Sequence, residues 1–359
     1  MKTAADKQAF LCATTERITF LDSIRSVAII MVIGIHTLGY CAVIPQNQNE
    51  ALSFIIRTIP VPMFFLIDGY LLARSVMLTR RYDYSRYIRN SLLRLLVPWV
   101  VFTSAYTILR YFFELSGFLH DHQIIGHSLK DIVISSYGSV YAPQMYFLFS
   151  LFLIRVCSPV FQKLMSIKSY PVLLLIFICY YAAYKSGISY LYPYLTIKGG
   201  QEPILHALWG MQFFFLGIIC FKTPEVIGFD KLTIPFLILF VLVLSFKSEL
   251  GAFSFGVLQY LYLITFFLLF SLHQRGFHLL NIIGKNTMGI YLIHAPVVLK
   301  GVSFILNKFI FNPLLSFTSI LIGVFIVTSC IVAMINAIPY GSLLFGKPYL
   351  PRPLPIVTP

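Results

Sequence analysis

Ten stretches of the chain are apolar over about the length a bilayer demands of a helix, roughly 20 residues. They are 20–41, 54–75, 92–113, 144–162, 171–184, 204–221, 232–246, 254–272, 287–306 and 314–337, the fifth and seventh being short. Hydrocarbon offers the backbone no hydrogen-bond partner, so such segments must bond internally. The sequence therefore reads as an all-α polytopic integral membrane protein of about ten transmembrane helices. Composition agrees: 58% of residues are hydrophobic and 11% charged, against about 25% charged in soluble domains. Too few charges are present to cover a water-facing surface.

Residues 1–17 contain no apolar run ahead of the first span and no small-residue cleavage site, so they read as a retained cytoplasmic tail. A single transmembrane domain occupies 18–338 and a second short cytoplasmic tail 339–359. The one large loop lies around 114–143. A net charge of +14 would suit nucleic acid in a soluble chain; here its distribution sets orientation instead. With the N-terminus cytoplasmic, 17 of the 27 Lys and Arg fall inside, 6 outside and four (Arg25, Arg57, Arg110, Arg155) within spans. Six Arg between 74 and 94 form the main basic cluster. The six Cys are scattered without a CxxC and read as small buried hydrophobes.

Ionisable groups inside spans are costly and usually face a bundle interior or a wet cavity. Arg25 and His36 are eleven residues apart, nearly three full turns, so they share a face about 16 Å apart along the axis. Asp22 sits one turn before Arg25 and can pair with it. This stripe suits an interfacial anchor with a packing histidine, and it equally suits a general base in a cavity. Asp68 lies mid-span, where it must be paired, protonated or wetted; Arg25 and Arg57 are its candidate partners. Gly69 beside it permits close backbone approach. Arg155, Tyr291 and His294 add further polar groups, and Pro296 should kink the helix beside His294. His120, Asp121, His122 and His127 lack a helical ligand frame, and no metal site is expected. No GxSxG, HExxH or Walker A motif is present.

Five stretches in order resemble the membrane acyltransferase-3 family, which includes bacterial surface-polysaccharide O-acetyltransferases. They are LDSIRSVAIIMVIGIH, with its Arg25 and His36, RTIPVPMFFLIDGYLL, SRYIRNSLLRLLVPWVVF, MYFLFSLFLIRVCSPV and LNIIGKNTMGIYLIHAP. The similarity runs from about residue 18 to 300. Asp68 stands where the family commonly has Ser, Tyr146 where it has Trp, and Arg155 where it has Tyr. The short tail leaves no room for the fused hydrolase-like domain of some relatives.

The resemblance implies transfer of acetyl from cytoplasmic acetyl-CoA to a sugar hydroxyl of an envelope glycan, such as lipopolysaccharide O-antigen, at the bacterial inner membrane. Acetyl-CoA would be a substrate, with no permanently bound cofactor. The acceptor would be an envelope glycan or lipid-linked saccharide, and nucleic acid is not a partner. On this reading His36 and Arg25 are catalytic, while Asp22, Asp68, Arg89, Arg94, Arg155, Tyr291 and His294 bind substrate. A proton-coupled transporter or flippase, with Asp68 as proton site, is the main alternative; no internal repeat supports it. A non-catalytic scaffold leaves the Arg25–His36 pairing without a purpose.

Overall fold

A computed structural model describes residues 17–41, 54–79, 82–195, 202–223, 228–245, 247–273 and 275–347. Among the described residues the chain is helical, with no strand. Seven helices are long and apolar enough to cross a membrane, and a bent pair makes an eighth. The seventh and eighth expected spans, 232–246 and 254–272, coincide with shorter apolar helices, Lys231–Val243 and Gly256–Ser271. The protein is thus a polytopic all-α membrane protein.

At the centre stand α1 (Thr19–Thr37), α2 (Pro60–Thr79, continuing the helical stretch from Phe54) and a later helix, Pro203–Lys222. These three segments are 61%, 67% and 67% buried, whereas the span Tyr170–Ile188 is 6% buried and faces outward. Without a hydrophobic drive between helices in lipid, association rests on close packing of small residues. Gly69 and Gly217 show how: a Cβ on Gly69 would strike the Phe214 backbone, and one on Gly217 the Leu66 backbone. α2 and Pro203–Lys222 accordingly make the most extensive helix contact in the molecule.

α3 (Tyr84–Ser91) begins at Asp83, whose side chain accepts from the Arg86 N–H at 3.0 Å. It runs through a π-helical turn, Leu92–Leu96, into α4 (Val97–Leu115). Pro98 lacks the N–H that Arg94 would use in an α-helix, and the widened turn takes up the lost bond. The resulting 32-residue helix is about 48 Å long, longer than the hydrocarbon core. Three of the six arginines that read in sequence as a loop, Arg86, Arg89 and Arg94, therefore lie on the start of this helix, and Arg74 on the end of α2. Arg80 and Arg81 lie outside the described residues.

The 114–143 segment is not a bare loop, since it folds α5 (Leu129–Tyr137), capped by Ser128. The turn before it wraps around Glu114. That carboxylate accepts from Arg110 Nε (2.9 Å) and from the N–H groups of Gln123, Ile124 and Ile125 (3.1, 2.9 and 3.1 Å). Arg110 also reaches Asp121 at 2.8 Å, so Asp121 is committed to an ion pair, not to its neighbouring histidines.

α6 (Tyr146–Val156) and α7 (Ser158–Met165) form the bent pair, turning by 53° at Cys157, just before Pro159. There follow α8 (Tyr170–Leu195), α9 (Pro203–Lys222), α10 (Phe229–Ser245) and α11 (Lys247–Ser271). α12 (His278–Gly284) packs across α1. α13 (Thr287–Ile293), a π-turn at His294–Val298 and α14 (Leu299–Leu306) make the ninth expected span, and α15 (Pro313–Ala337) the tenth. Past α15 a tight turn, Gly341–Phe345, folds back and buries Phe345 against Phe102.

Candidate functional site

Residues of α1, α2, α6, α12 and α13, with Arg94 and Leu95 of the π-helical turn, enclose a cavity of about 410 Å³. Five of the expected site residues line it: Arg25, Asp68, Arg94, Arg155 and Tyr291. Three cations join them that sequence reasoning had not singled out for the site: Arg17, Lys285 and Lys347. Six cationic side chains thus surround one lining carboxylate. Such a cavity favours an anion carrying several charges. Arg17 and Lys347 read as tail residues; the fold-back after α15 brings Lys347 in, and its Nζ donates to Asn286 Oδ1 at 3.0 Å. Burial, with Arg17 nearby, holds the Lys347 ammonium below the ordinary lysine range.

Asp22 does not line the cavity. It is wholly buried behind it and accepts from both Arg25 Nη1 (3.0 Å) and Arg17, whose Nη2 lies at 3.0 Å from Oδ1 and whose Nε contacts Oδ2. One carboxylate therefore orients two guanidiniums. The adjacent polar residues lock the helix in register. Ser23 Oγ donates to Asn281 Oδ1 (2.7 Å) and accepts from the Phe277 N–H (2.9 Å), while Ser26 donates to the Leu280 carbonyl.

Asp68 pairs with neither of its two candidate partners, Arg25 and Arg57. Its partner is Arg155, which binds both carboxylate oxygens, Nε to Oδ2 at 2.8 Å and Nη2 to Oδ1. Two of the three positions read as departures from the family pattern, Asp68 and Arg155, thus meet each other. Arg155 Nη1 also donates to Ser91 Oγ at 3.3 Å, and its guanidinium lies 5.7 Å from the Tyr87 ring centroid. This bidentate pair stands between the main cavity and a smaller one of about 200 Å³ that Arg94 also lines. Arg89 is exposed on α3 and lines neither cavity.

His36 and His294 lie elsewhere. Their rings face each other at 5.3 Å, remote from Arg25 along α1, and neither lines the basic cavity. The helix break expected near Pro296 is present: Ala295 has extended backbone (φ −133°, ψ 155°). The carbonyls it frees find side-chain partners, Ala295 O accepting from Gln144 Nε2 (2.5 Å) and Leu292 O from the Tyr106 hydroxyl (2.6 Å). His294 is fully buried. Its Nδ1 bonds the Tyr291 carbonyl at 2.7 Å, which makes Nδ1 the protonated nitrogen; Nε2 has no hydrogen-bond partner among the described residues. Tyr291 bridges the two regions. It lines the basic cavity, donates to the Gln144 carbonyl and sits 5.9 Å, ring to ring, from His294.

A cation-lined cavity, joined through one tyrosine to a histidine pair, thus lies inside a multi-pass helical membrane protein. The acyltransferase-3 family model, described as an acyltransferase domain, matches residues 18–334. The chain belongs to that family and is a membrane acyltransferase. No match was found to a curated protein or to a solved structure.

Proposed function

We propose that the protein is an O-acetyltransferase of the bacterial inner membrane, moving acetyl from cytoplasmic acetyl-CoA to a sugar hydroxyl of a cell-envelope glycan. The observation that carries the reading is the gathering of Arg17, Arg25, Arg94, Arg155, Lys285 and Lys347 around one cavity whose inner wall, Tyr291, abuts the His294–His36 pair. CoA carries several phosphate charges, and guanidiniums bind phosphates bidentately. In this reading the basic end faces the cytoplasm, in line with the Lys and Arg bias. Arg89, exposed on α3 at the same end, meets the nucleotide portion, and Arg94 and Lys285 its phosphates.

The acyl-pantetheine arm then enters toward Tyr291, whose hydrogen bond to Gln144 must open for the thioester to approach His36. His36 takes the proton of the attacking hydroxyl. The new C–O bond forms as the C–S bond breaks, and the proton passes to the departing thiolate. Arg25 steadies the donor's negative charge, with Asp22 setting its direction, and the Asp68–Arg155 pair fixes the cavity wall. His294 packs on His36 and limits its ring orientations. A proton-coupled transporter with Asp68 as its proton site is less well supported, since both Asp68 carboxylate oxygens are bound by Arg155.

The test uses the protein in lipid nanodiscs with radiolabelled acetyl-CoA and a glycan extract of the host envelope. Label should move to glycan with the intact protein and fall at least 100-fold with His36→Ala or Arg25→Ala at equal folded amounts. Transfer by His36→Ala within threefold of the parent would end the assignment.

A further inference from the structure

A second cavity, of about 430 Å³, opens at the end of the bundle remote from the basic cluster. Its wall begins at Ile35, the residue before His36, and includes Arg57 just ahead of α2 and Glu202 at the start of α9. Aromatic rings make up much of the rest: Tyr146, Tyr184, Tyr192 and Trp209, together with His206. Tyr146 and His206 stack at 4.1 Å, and His206 meets Trp209 edge-on at 6.2 Å, giving a stiff aromatic corner. Among the described residues neither the Arg57 guanidinium nor the Glu202 carboxylate forms a hydrogen bond or ion pair, although the carboxylate is near enough to His206 to interact with it electrostatically. A guanidinium and a carboxylate therefore share one cavity without neutralising each other.

That combination has a chemical counterpart. A pyranose ring presents an apolar C–H face suited to an aromatic plane and a rim of hydroxyls that both donate and accept. Glu202 accepts from hydroxyls, Arg57 donates to them, and charged partners make the stronger bonds. A purely anionic ligand would be repelled by Glu202, and a purely apolar one would strand both charges. We propose that this cavity binds a saccharide and is the acceptor site, with the reacting hydroxyl directed past Ile35 to His36. The name acceptor rests on the acyl-transfer reading; saccharide binding itself can be measured without any transfer.

The chain has two tryptophans, so Trp99→Phe leaves Trp209 as a single reporter inside the cavity. This protein, in lipid nanodiscs because sugar-based detergents would compete, is titrated with methyl glycosides of a hexose, a 6-deoxyhexose, an N-acetylhexosamine and a uronic acid. At least one should change Trp209 emission saturably, and Arg57→Gln and Glu202→Gln should each raise its Kd at least tenfold. Thermal stabilisation by acetyl-CoA, which reports the basic cavity, should be the same in both variants as in the parent. The proposal is overturned if no glycoside saturates, if both variants bind like the parent, or if they lose the acetyl-CoA response as well. Failure of the donor reading would register separately, as a parent protein that acetyl-CoA does not stabilise.

Discussion

Asp22 is wholly buried, yet it holds two guanidiniums, one from α1 and one from the segment just before it. Removing one partner of a buried pair leaves charge uncompensated, at a cost of about 3–5 kcal/mol. Asp22→Ala should therefore lower thermal stability in nanodiscs clearly, while Asp22→Asn, which keeps one acceptor, should cost less stability but raise the KM for acetyl-CoA about tenfold. An unchanged KM in Asp22→Asn would separate Asp22 from the donor. Lys347 offers a pH signature. Its pKa lies below that of an ordinary lysine, so its charge is complete at low pH and is lost earlier as pH rises. Acetyl-CoA affinity should weaken on the alkaline side, and Lys347→Met should flatten that limb; an identical pH profile in the variant would remove Lys347 from the site. At this scale the sequence was legible wherever spacing along one helix settled the answer, as for Asp22–Arg25. It could not show that Asp68 meets Arg155, because 87 positions separate them and only the packing of α2 against α6 closes that distance.

Elements of this fold meet where side chains are smallest. The α2–α9 contact is set by Gly69 and Gly217, each against the other helix's backbone. Gly69→Leu should force the helices apart and abolish a folded, monodisperse protein, as read by size-exclusion chromatography, without altering any charged residue. Survival of a stable Gly69→Leu protein would contradict the packing described. The segment after α4 depends instead on hydrogen bonds: Glu114→Ala would leave the N–H groups of Gln123, Ile124 and Ile125 without their acceptor. These amides should then exchange with deuterium much faster, with protection elsewhere unchanged. The Arg110 guanidinium holds Asp121 below the usual carboxylate range. Its contribution is thus complete above that range and is lost only as pH falls through the lowered value. Apolar length alone marked the ten helical segments. Helix continuity across Arg86–Arg94 escaped notice because hydropathy falls there, although Asp83 followed by Arg86 is a legible cap. The fold-back of 341–345 had no sequence signal beyond Gly341 and Gly346.

Two cavities of unlike chemistry open at opposite ends of the described structure, one ringed by cations and the other by aromatics with one cation, Arg57, and one anion, Glu202. Tyr291, His294 and His36 lie in contact between them. On the reading proposed above, the donor enters from one end, the acceptor from the other, and the base stands where they meet. The motif order in the sequence was sufficient for the family; the proposed division of labour between the two ends was not legible, since Arg57 comes from the helix that continues into α2 whereas Glu202 and Trp209 come from the start and the body of α9. The most direct measurement is mass spectrometry and NMR of envelope glycans from cells with and without the gene, complemented by the intact protein, Arg25→Ala or His36→Ala. An acetyl-sized difference restored by the intact protein and by neither variant is the expected result. Unchanged acylation, with a glycan or solute accumulating on one side of the membrane, would contradict acyl transfer and point to transport.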